Sequence, residues 1–338
     1  MPYAANGDVN LYYEIDGEGD GRDVDAVAFC GEIGYGPWQW GWQHAAVAGP
    51  YRAVVPATRG TADSDAPPGP YTVGQLAEDL DAVLADAGVR AAHVVGAGLG
   101  GMVALHAALH SGRVRKLALV GTPAYGDGMN PDSLWADPAD PEALESSLRA
   151  AVTDEFLEYR PSVVPRIVEW RAAEDADREA WEAARSAVRE FDVADRLYEV
   201  SNEALVLHGG EDAVCPPAKG EELAEGLPRG EFRRIDGAGH LVQRTRPALV
   251  EAPAQPLAVT VGGRREYARF DERRFRIESV FEGSVAGPVG RLAEQTERPL
   301  GEVPFRERRR AGDEIPAEVD ARERNGEDAQ AGSRADDG

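Results

Sequence analysis

The stretch Ala92-His93-Val94-Val95-Gly96-Ala97-Gly98-Leu99-Gly100-Gly101-Met102-Val103-Ala104-Leu105 decides the fold. It reads as a short buried strand, a glycine-packed turn and an apolar helix. That is the layout of a nucleophile elbow, G-x-S-x-G, in which a strained turn lifts the middle residue above a sheet. Glycines flank that residue because side chains would clash in so tight a turn. The frame here is Gly96-x-Gly98-x-Gly100, and Gly98 stands where serine is expected. The turn is kept and the nucleophile is missing.

Outward from the elbow, apolar runs alternate with helical periodicity. Val9 to Ile15 reads as an edge strand, and Ala26-Val27-Ala28-Phe29 as a strand buried on both faces. Tyr51 to Val55 and Val114 to Val120 are further strands. Thr72 caps a helix with Leu76, Leu80, Val83 and Leu84 at helical spacing. Strand and helix grammar returns at Ala204 to Asp212, Pro217 to Gly226 and Glu231 to Ile235, which leads into Asp236-Gly237-Ala238-Gly239-His240. The pattern predicts an α/β fold with a mostly parallel, doubly wound sheet.

From about Asp127 to Val200 no strand-like run appears. Helices are expected at Pro141 to Val152, Pro161 to Arg171 and Asp177 to Phe191. This block reads as a helical cap at 127–200 inserted into a core formed by 1–126 and 201–252. Beyond it, Pro247 opens a helix that Pro253 and Pro256 interrupt, and Tyr267 to Phe281 contains the strand-like alternation Phe275-Arg276-Ile277-Glu278, which reads either as a hairpin or as nothing stable. The extension at 253–300 has no assigned fold. Residues 301–338, rich in Arg, Glu, Asp, Gly and Ala, are too polar to order themselves. A shift of coding frame near residue 250 would also account for this extension.

Composition narrows the function classes. The 338 residues carry 60 acidic against 36 basic side chains, a net charge of −24, and the only lysines are Lys116 and Lys219. Such a surface suits a halophilic protein kept soluble at high salt; the alternative is an ordinary acidic protein from a GC-rich genome. It makes nucleic acid and anionic membrane poor partners. The two cysteines, Cys30 and Cys215, form no metal motif and read as free thiols of a reducing cytoplasm. The start of the chain does not read as a signal peptide, and no run of about 18 apolar residues predicts a membrane span. No metal or cofactor is expected. The sequence Gly96-x-Gly98-x-x-Gly101 mimics a dinucleotide fingerprint, but it lies mid-chain and the downstream Asp and His motifs explain more.

With these motifs in order, residues 1 to 250 resemble the α/β-hydrolase superfamily, in the capped branch of esterases, lactonases, epoxide hydrolases and haloalkane dehalogenases. The resemblance rests on Cys30-Gly31, Arg59-Gly60-Thr61 to Ser64-Asp65, the elbow, Gly209-Gly210-Glu211-Asp212 and Gly237-Ala238-Gly239-His240. It implies that Asp212 is the acid of a triad and His240 its general base. It also implies an oxyanion hole made by the backbone N–H groups of Glu32 and Leu99. A Glu32 carboxylate facing that hole would be unwelcome, because like charges repel there.

The departures gather at the same place: Gly98 for the nucleophile, Cys30 for a histidine, and Ala57 for an aspartate. Cys30, Ser64 and Ser111 read as structural residues. Trp38, Trp40 and the cap aromatics suggest an apolar pocket for a small molecule, although tryptophans in such loops are at least as often packing residues. Substrate identity and oligomeric state are not legible.

Three readings follow. One is a hydrolase of a small ester or lactone in which His240 and Asp212 activate a water lodged in the space at Gly98. Proton abstraction or elimination by the same histidine belongs beside it. Another is a non-catalytic member of the fold that binds a ligand or a partner. The last is a decayed gene product.

Overall fold

The computed structural model describes residues 2–17, 26–48, 51–159 and 161–245, together with three strands at 257–261, 264–271 and 274–280. The expected Pro247 helix, its interruption at Pro253 and Pro256, and the 301–338 tail lie outside the described residues.

Eight strands form the main sheet: β1 (Tyr3–Asn6), β2 (Val9–Asp16), β3 (Ala26–Cys30), β4 (Arg52–Pro56), β5 (Ala92–Ala97), β6 (Val114–Val120), β7 (Glu203–Gly209) and β8 (Gly230–Ile235). Their spatial order is β1-β2-β4-β3-β5-β6-β7-β8. The first two strands pair antiparallel, as do β2 and β4, and all later pairs are parallel. The edge is therefore β1; the run Val9 to Ile15, read as an edge strand, lies one place inward in β2 because Tyr3–Asn6 pairs outside it.

Strand β3 shows why the sheet is buried on both faces. Ala26, Ala28 and Cys30 join the core on one side, and Val27 and Phe29 join the core on the other. This is the period-two alternation of a strand covered twice. Helix α1 (Gly41–Val47) follows β3. Helix α2 (Val73–Asp86) begins with a capping box in which Thr72 and Gln75 satisfy each other's backbone N–H groups. Helix α3 (Leu99–His110) grows directly out of β5.

Between β6 and β7 the regular elements among the described residues are all helical: α4 (Pro141–Ala151), α5 (Asp154–Tyr159), α6 (Val164–Glu174) and α7 (Arg178–Glu190), with short 3-10 turns around them. Aspartates cap two of these helices, Asp140 on α4 and Asp177 on α7. This segment packs on the loops that leave the carboxyl ends of the strands. A Cβ on Gly34 would meet Trp181, one on Gly60 would meet Ala180, and one on Gly69 would meet Ala183, so α7 lies directly against three loop glycines.

A second, antiparallel sheet is formed by Leu257–Val261, Arg264–Asp271 and Arg274–Val280. The alternation at Phe275-Arg276-Ile277-Glu278 lies in the last of these strands, which pairs with Arg264–Asp271.

Candidate active site

The carboxyl ends of β3, β5, β6, β7 and β8 lie side by side, with Cys30 opposite Gly96, Ala97 opposite Val120, and Gly209 opposite Ile235. The loops leaving those ends bring Glu32, Gly98, Leu99, Asp212 and His240 together. Ligand sites of open α/β sheets lie at such strand ends.

Gly98 has φ +47° and ψ −109°, a backbone conformation that L side chains rarely adopt. The elbow turn is therefore formed, although no side chain stands on it. Its N–H donates to the Val120 carbonyl (3.0 Å) and its carbonyl accepts the first helical bonds of α3 from Gly101 and Met102. A Cβ on Gly100 would overlap the carbonyls of Cys30 and Gly31, so that glycine lets α3 sit against the loop after β3.

The place of the absent side chain is filled. A Cβ on Gly98 would overlap both carboxylate oxygens of Glu32. Glu32 Oε2 lies 2.6 Å from His240 Nε2. Glu32 Oε1 accepts hydrogen bonds from the N–H of Ile33 (2.7 Å) and of Leu99 (3.2 Å). Glu32 is 1% exposed, so this carboxylate is held by protein groups and not by bulk water. The space expected to lodge a water at Gly98 thus holds a side-chain carboxylate.

The other ring nitrogen of His240 faces Asp212, with Nδ1 2.8 Å from Oδ2. Asp212 is fixed in turn, since its Oδ1 accepts the N–H groups of Val214 (2.9 Å) and Cys215 (2.8 Å). Buried His208 stands behind it, with Nε2 3.2 Å from Asp212 Oδ2 and 2.7 Å from the Cys215 carbonyl. Gly121, at φ +56°, passes beside the His240 ring, where a Cβ would press on Nδ1 and Cε1. The result is one buried line: His208, Asp212, His240, Glu32, then two backbone N–H groups.

Charge follows the geometry. Burial alone would lower the His240 pKa, but the Asp212 charge and the hydrogen bonds to Asp212 and Glu32 push it up to about 10. Burial alone would raise the Asp212 carboxyl. The His240 charge and the bonds from His208, His240 and the Cys215 N–H outweigh it and hold that carboxyl well below the usual range. Each ring nitrogen of His240 thus faces a carboxylate, an arrangement that favours the protonated ring.

The expected backbone pair is only half present. The Leu99 N–H points into the site, whereas the Glu32 N–H donates away from it, to Gln39 Oε1 at 3.0 Å. Gln39 is anchored by its own amide on the Tyr35 and Gly36 carbonyls, and Ile33 supplies the second converging N–H. Sequence reasoning weighed the Glu32 side chain only as an intruder, and it missed Ile33, Gln39 and His208. The signal available was a carboxylate two residues past β3 opposite a glycine at the elbow.

Other candidates fall away from the line. Burial pushes the Cys30 thiol up to about 12. Ser64 Oγ bridges the Tyr12 N–H and the Ala57 carbonyl, and Ser111 Oγ donates to Asp81. Neither tryptophan lines the cleft behind the elbow. Trp40 stacks on Phe29 in the core beneath the sheet, and Trp38 is buried beside Tyr35. A cleft lined by Leu11, Cys30, Ala57, Thr58, Leu76 and Leu99 lies behind the elbow, and neither Glu32 nor His240 lines it. Among the described residues no group of three or more His, Cys, Asp or Glu is arranged to hold a metal ion. No described helix is long and apolar enough to cross a membrane.

Buried contacts tie the helical segment to the loop after β3 and to the residue next to His240. Arg171, 1% exposed, pairs with Asp175 at 2.7 Å and lies 4.6 Å over the Tyr35 ring. Asp175 Oδ1 accepts from the Gly36 N–H and from Trp38 Nε1, and Glu174 Oε2 accepts from the Trp38 N–H. The Ala176 N–H donates to the Gly34 carbonyl, and the Leu241 N–H, next to His240, donates to Ala151 of α4.

Relatives agree with the architecture. A protein of Azorhizobium caulinodans named carbamate hydrolase RutD is 28% identical over 261 residues, covering 73% of this chain and 94% of its own length. The 3-oxoadipate enol-lactonase 2 of Acinetobacter baylyi is 26% identical, covering 71% and 90%. Among solved structures, the enol-lactonase of Burkholderia xenovorans superposes with TM-score 0.62 at 27% identity, over 71% of this chain and 93% of that one. Est816, described as an N-acyl homoserine lactone degrading enzyme, gives 0.63 at 28%, over 73% and 96%. Residues 31–252 match the alpha/beta hydrolase family, and with this sheet, elbow and order of motifs the chain belongs to that family.

Proposed function

We propose that the chain is a hydrolase of a small ester- or lactone-like molecule in which Glu32, His240 and Asp212 form the reacting line. The observation that carries this reading is the Glu32 carboxylate, held between His240 Nε2 and the N–H groups of Ile33 and Leu99 in the place of the elbow side chain. His240 is the proton carrier and Asp212 its orienting partner, as in a triad. The names of the relatives, two of them lactonases, support a small substrate of that class. In this reading the helical segment at 127–200 is a cap, the protein works in the cytoplasm, and substrate reaches Glu32 when the cap lifts.

One observation favours a second reading, a non-catalytic member of the fold. Both Glu32 oxygens are satisfied inside the protein, and one of them fills the N–H pair where a substrate oxygen would bind.

Hydrolysis of a panel of esters, lactones and carbamates, in dilute and in molar salt, separates the two. Turnover that Glu32→Gln and His240→Ala both abolish supports the enzyme. An inert, folded protein that gains esterase activity only in the Glu32→Ala/Gly98→Ser double variant supports the non-catalytic reading.

A further inference from the structure

We propose that His208 is a positioning residue: pinned from behind by helix α8 (Pro217–Gly226), its ring holds the Asp212 turn and carboxylate in the place from which Asp212 orients His240. The effect on turnover rests on the hydrolase reading; the effect on the His240 ring does not.

Strand β7 alternates between two cores. Ala204 and Val206 join the core that Leu223 and Ala224 of α8 also enter, and Leu205 and Leu207 join the opposite one. His208 falls on the α8 side, where the period calls for an apolar residue such as Val206. It is instead an imidazole with 0% exposure. A polar ring so deep is costly unless its hydrogen bonds are made, so its partners tell its role. Nδ1 has no hydrogen-bond partner and lies against Gly220 of α8, where any Cβ would overlap it. Nε2 lies 2.7 Å from the Cys215 carbonyl and 3.2 Å from Asp212 Oδ2. Both of these neighbours accept, so Nε2 is the nitrogen that carries the hydrogen.

The Asp212 turn wraps around that ring. Asp212 Oδ1 accepts the N–H groups of Val214 and Cys215, and the carbonyl of the same Cys215 comes back to His208 Nε2. The turn is tied onward to the loop that carries His240, because the Glu211 N–H donates to the Ala238 carbonyl (2.9 Å). Asp212 Oδ2 is left between two histidines, His240 at 2.8 Å and His208 at 3.2 Å. Without His208, Oδ2 would be held by His240 alone, which is the group it has to orient. An orienting carboxylate needs an anchor independent of the ring it orients, and His208 supplies one from inside the core. Helix α8 completes the arrangement, since Gly220 leaves the room that the ring occupies.

The test compares His208→Gln, His208→Asn and Gly220→Ala in the full chain, with circular dichroism to confirm folding. Both amides are polar, but only the longer one brings an N–H to the Nε2 position. Gly220→Ala touches neither Asp212 nor His240 and favours the helix, yet its methyl group displaces the His208 ring. Nuclear magnetic resonance follows the Nδ1 proton of His240 and the titration of its ring. His208→Gln is expected to keep both as in the unaltered chain. His208→Asn and Gly220→Ala are expected to lose the Nδ1 proton to fast exchange with water and to lower the His240 pKa in the direction of Asp212→Asn. For any ester or lactone that turns over, these two variants are expected to lose kcat with KM unchanged, by up to about a hundredfold for a misplacement of about 1 Å. A His240 proton and titration that stay unchanged in His208→Asn and Gly220→Ala, or a pKa that rises in them, overturn the proposal. So does a His208→Gln variant that loses as much as His208→Asn, because packing and not the donor would then be at stake. Should His208→Asn fail to fold, His208→Gln against Gly220→Ala decides between the same outcomes. If no substrate of the panel turns over, the hydrolase reading fails and the resonance measurements alone decide on His208.

Discussion

Gly98 and Glu32 share one place in the molecule: any Cβ on the first would overlap the carboxylate of the second. A serine at 98 and a glutamate at 32 therefore exclude each other, and their substitutions must be strongly non-additive. Gly98→Ser alone also imposes a side chain on a backbone at φ +47°, a strain of about 1–3 kcal/mol. The single variant is expected to be destabilised by at least that much in urea unfolding. Adding Glu32→Ala removes the overlap and is expected to recover part of the loss, a coupling of about 1 kcal/mol or more. Additive behaviour would mean that the Glu32 side chain lies elsewhere in solution.

The raised pKa of His240 depends on having a carboxylate at each nitrogen. Glu32→Gln keeps the shape and the hydrogen-bonding reach but removes one charge, so the His240 pKa is expected to fall from about 10 toward the ordinary histidine value. Asp212→Asn is expected to lower it further, because the Asp212 charge is the largest influence that raises it. Nuclear magnetic resonance titration of the ring nitrogens measures both shifts. An unchanged His240 titration in Glu32→Gln would separate the two residues.

The same raised pKa carries a sign for stability. Folded His240 holds its proton up to about pH 10, whereas the unfolded chain releases it near pH 6.5. The contribution is therefore complete below about pH 6.5 and is lost as pH rises toward 10, with a slope of about 1.4 kcal/mol per pH unit for one proton. Asp212 acts in the opposite direction. Its depressed pKa contributes above the ordinary carboxylate range and is lost as pH falls through that range and below. The midpoint of denaturant unfolding is expected to be highest between about pH 5 and 6.5 and to decline toward both sides. In Glu32→Gln the decline above pH 6.5 should be shallower.

Much of this molecule was legible in the sequence because its signals are local. Apolar runs such as Ala26–Cys30 and Val114–Val120 give sheet strands, Thr72 with Gln75 caps α2, and the Gly96-x-Gly98-x-Gly100 frame gives the elbow. Motif order brought Asp212 and His240 into one reading, and the structure places them 2.8 Å apart. The direction of a side chain is a different kind of information. Whether Glu32 offers its N–H or its carboxylate depends on Gln39, seven residues on, which accepts that N–H, and on the absence of a Cβ at residue 98. Neither contact has a periodicity to betray it. The pairing of Arg171 with Tyr35 and Asp175 was hidden for the same reason. An arginine in a helix reads as a solvated charge, and only the tertiary fold buries it.

That arginine sets the last prediction. Arg171 fills the junction between α6, α4 and the loop after β3, donating to the Leu144 carbonyl, Ser147 Oγ and Asp175. Asp175 in turn holds the Gly36 N–H and the Trp38 indole, on the loop that carries Glu32. Truncating one partner of a buried pair leaves the other charge unpaired and costs about 3–5 kcal/mol. Arg171→Leu and Asp175→Asn are both expected to lose stability on that scale, because an amide that keeps its oxygen on Gly36 and Trp38 turns its own N–H groups toward the unpaired guanidinium. If the helical segment gates access to Glu32, both variants should also expose the Gly36 and Trp38 amides to hydrogen exchange and speed alkylation of Glu32 by a small epoxide. Faster exchange without faster alkylation would show that the pair secures the loop but does not gate the site.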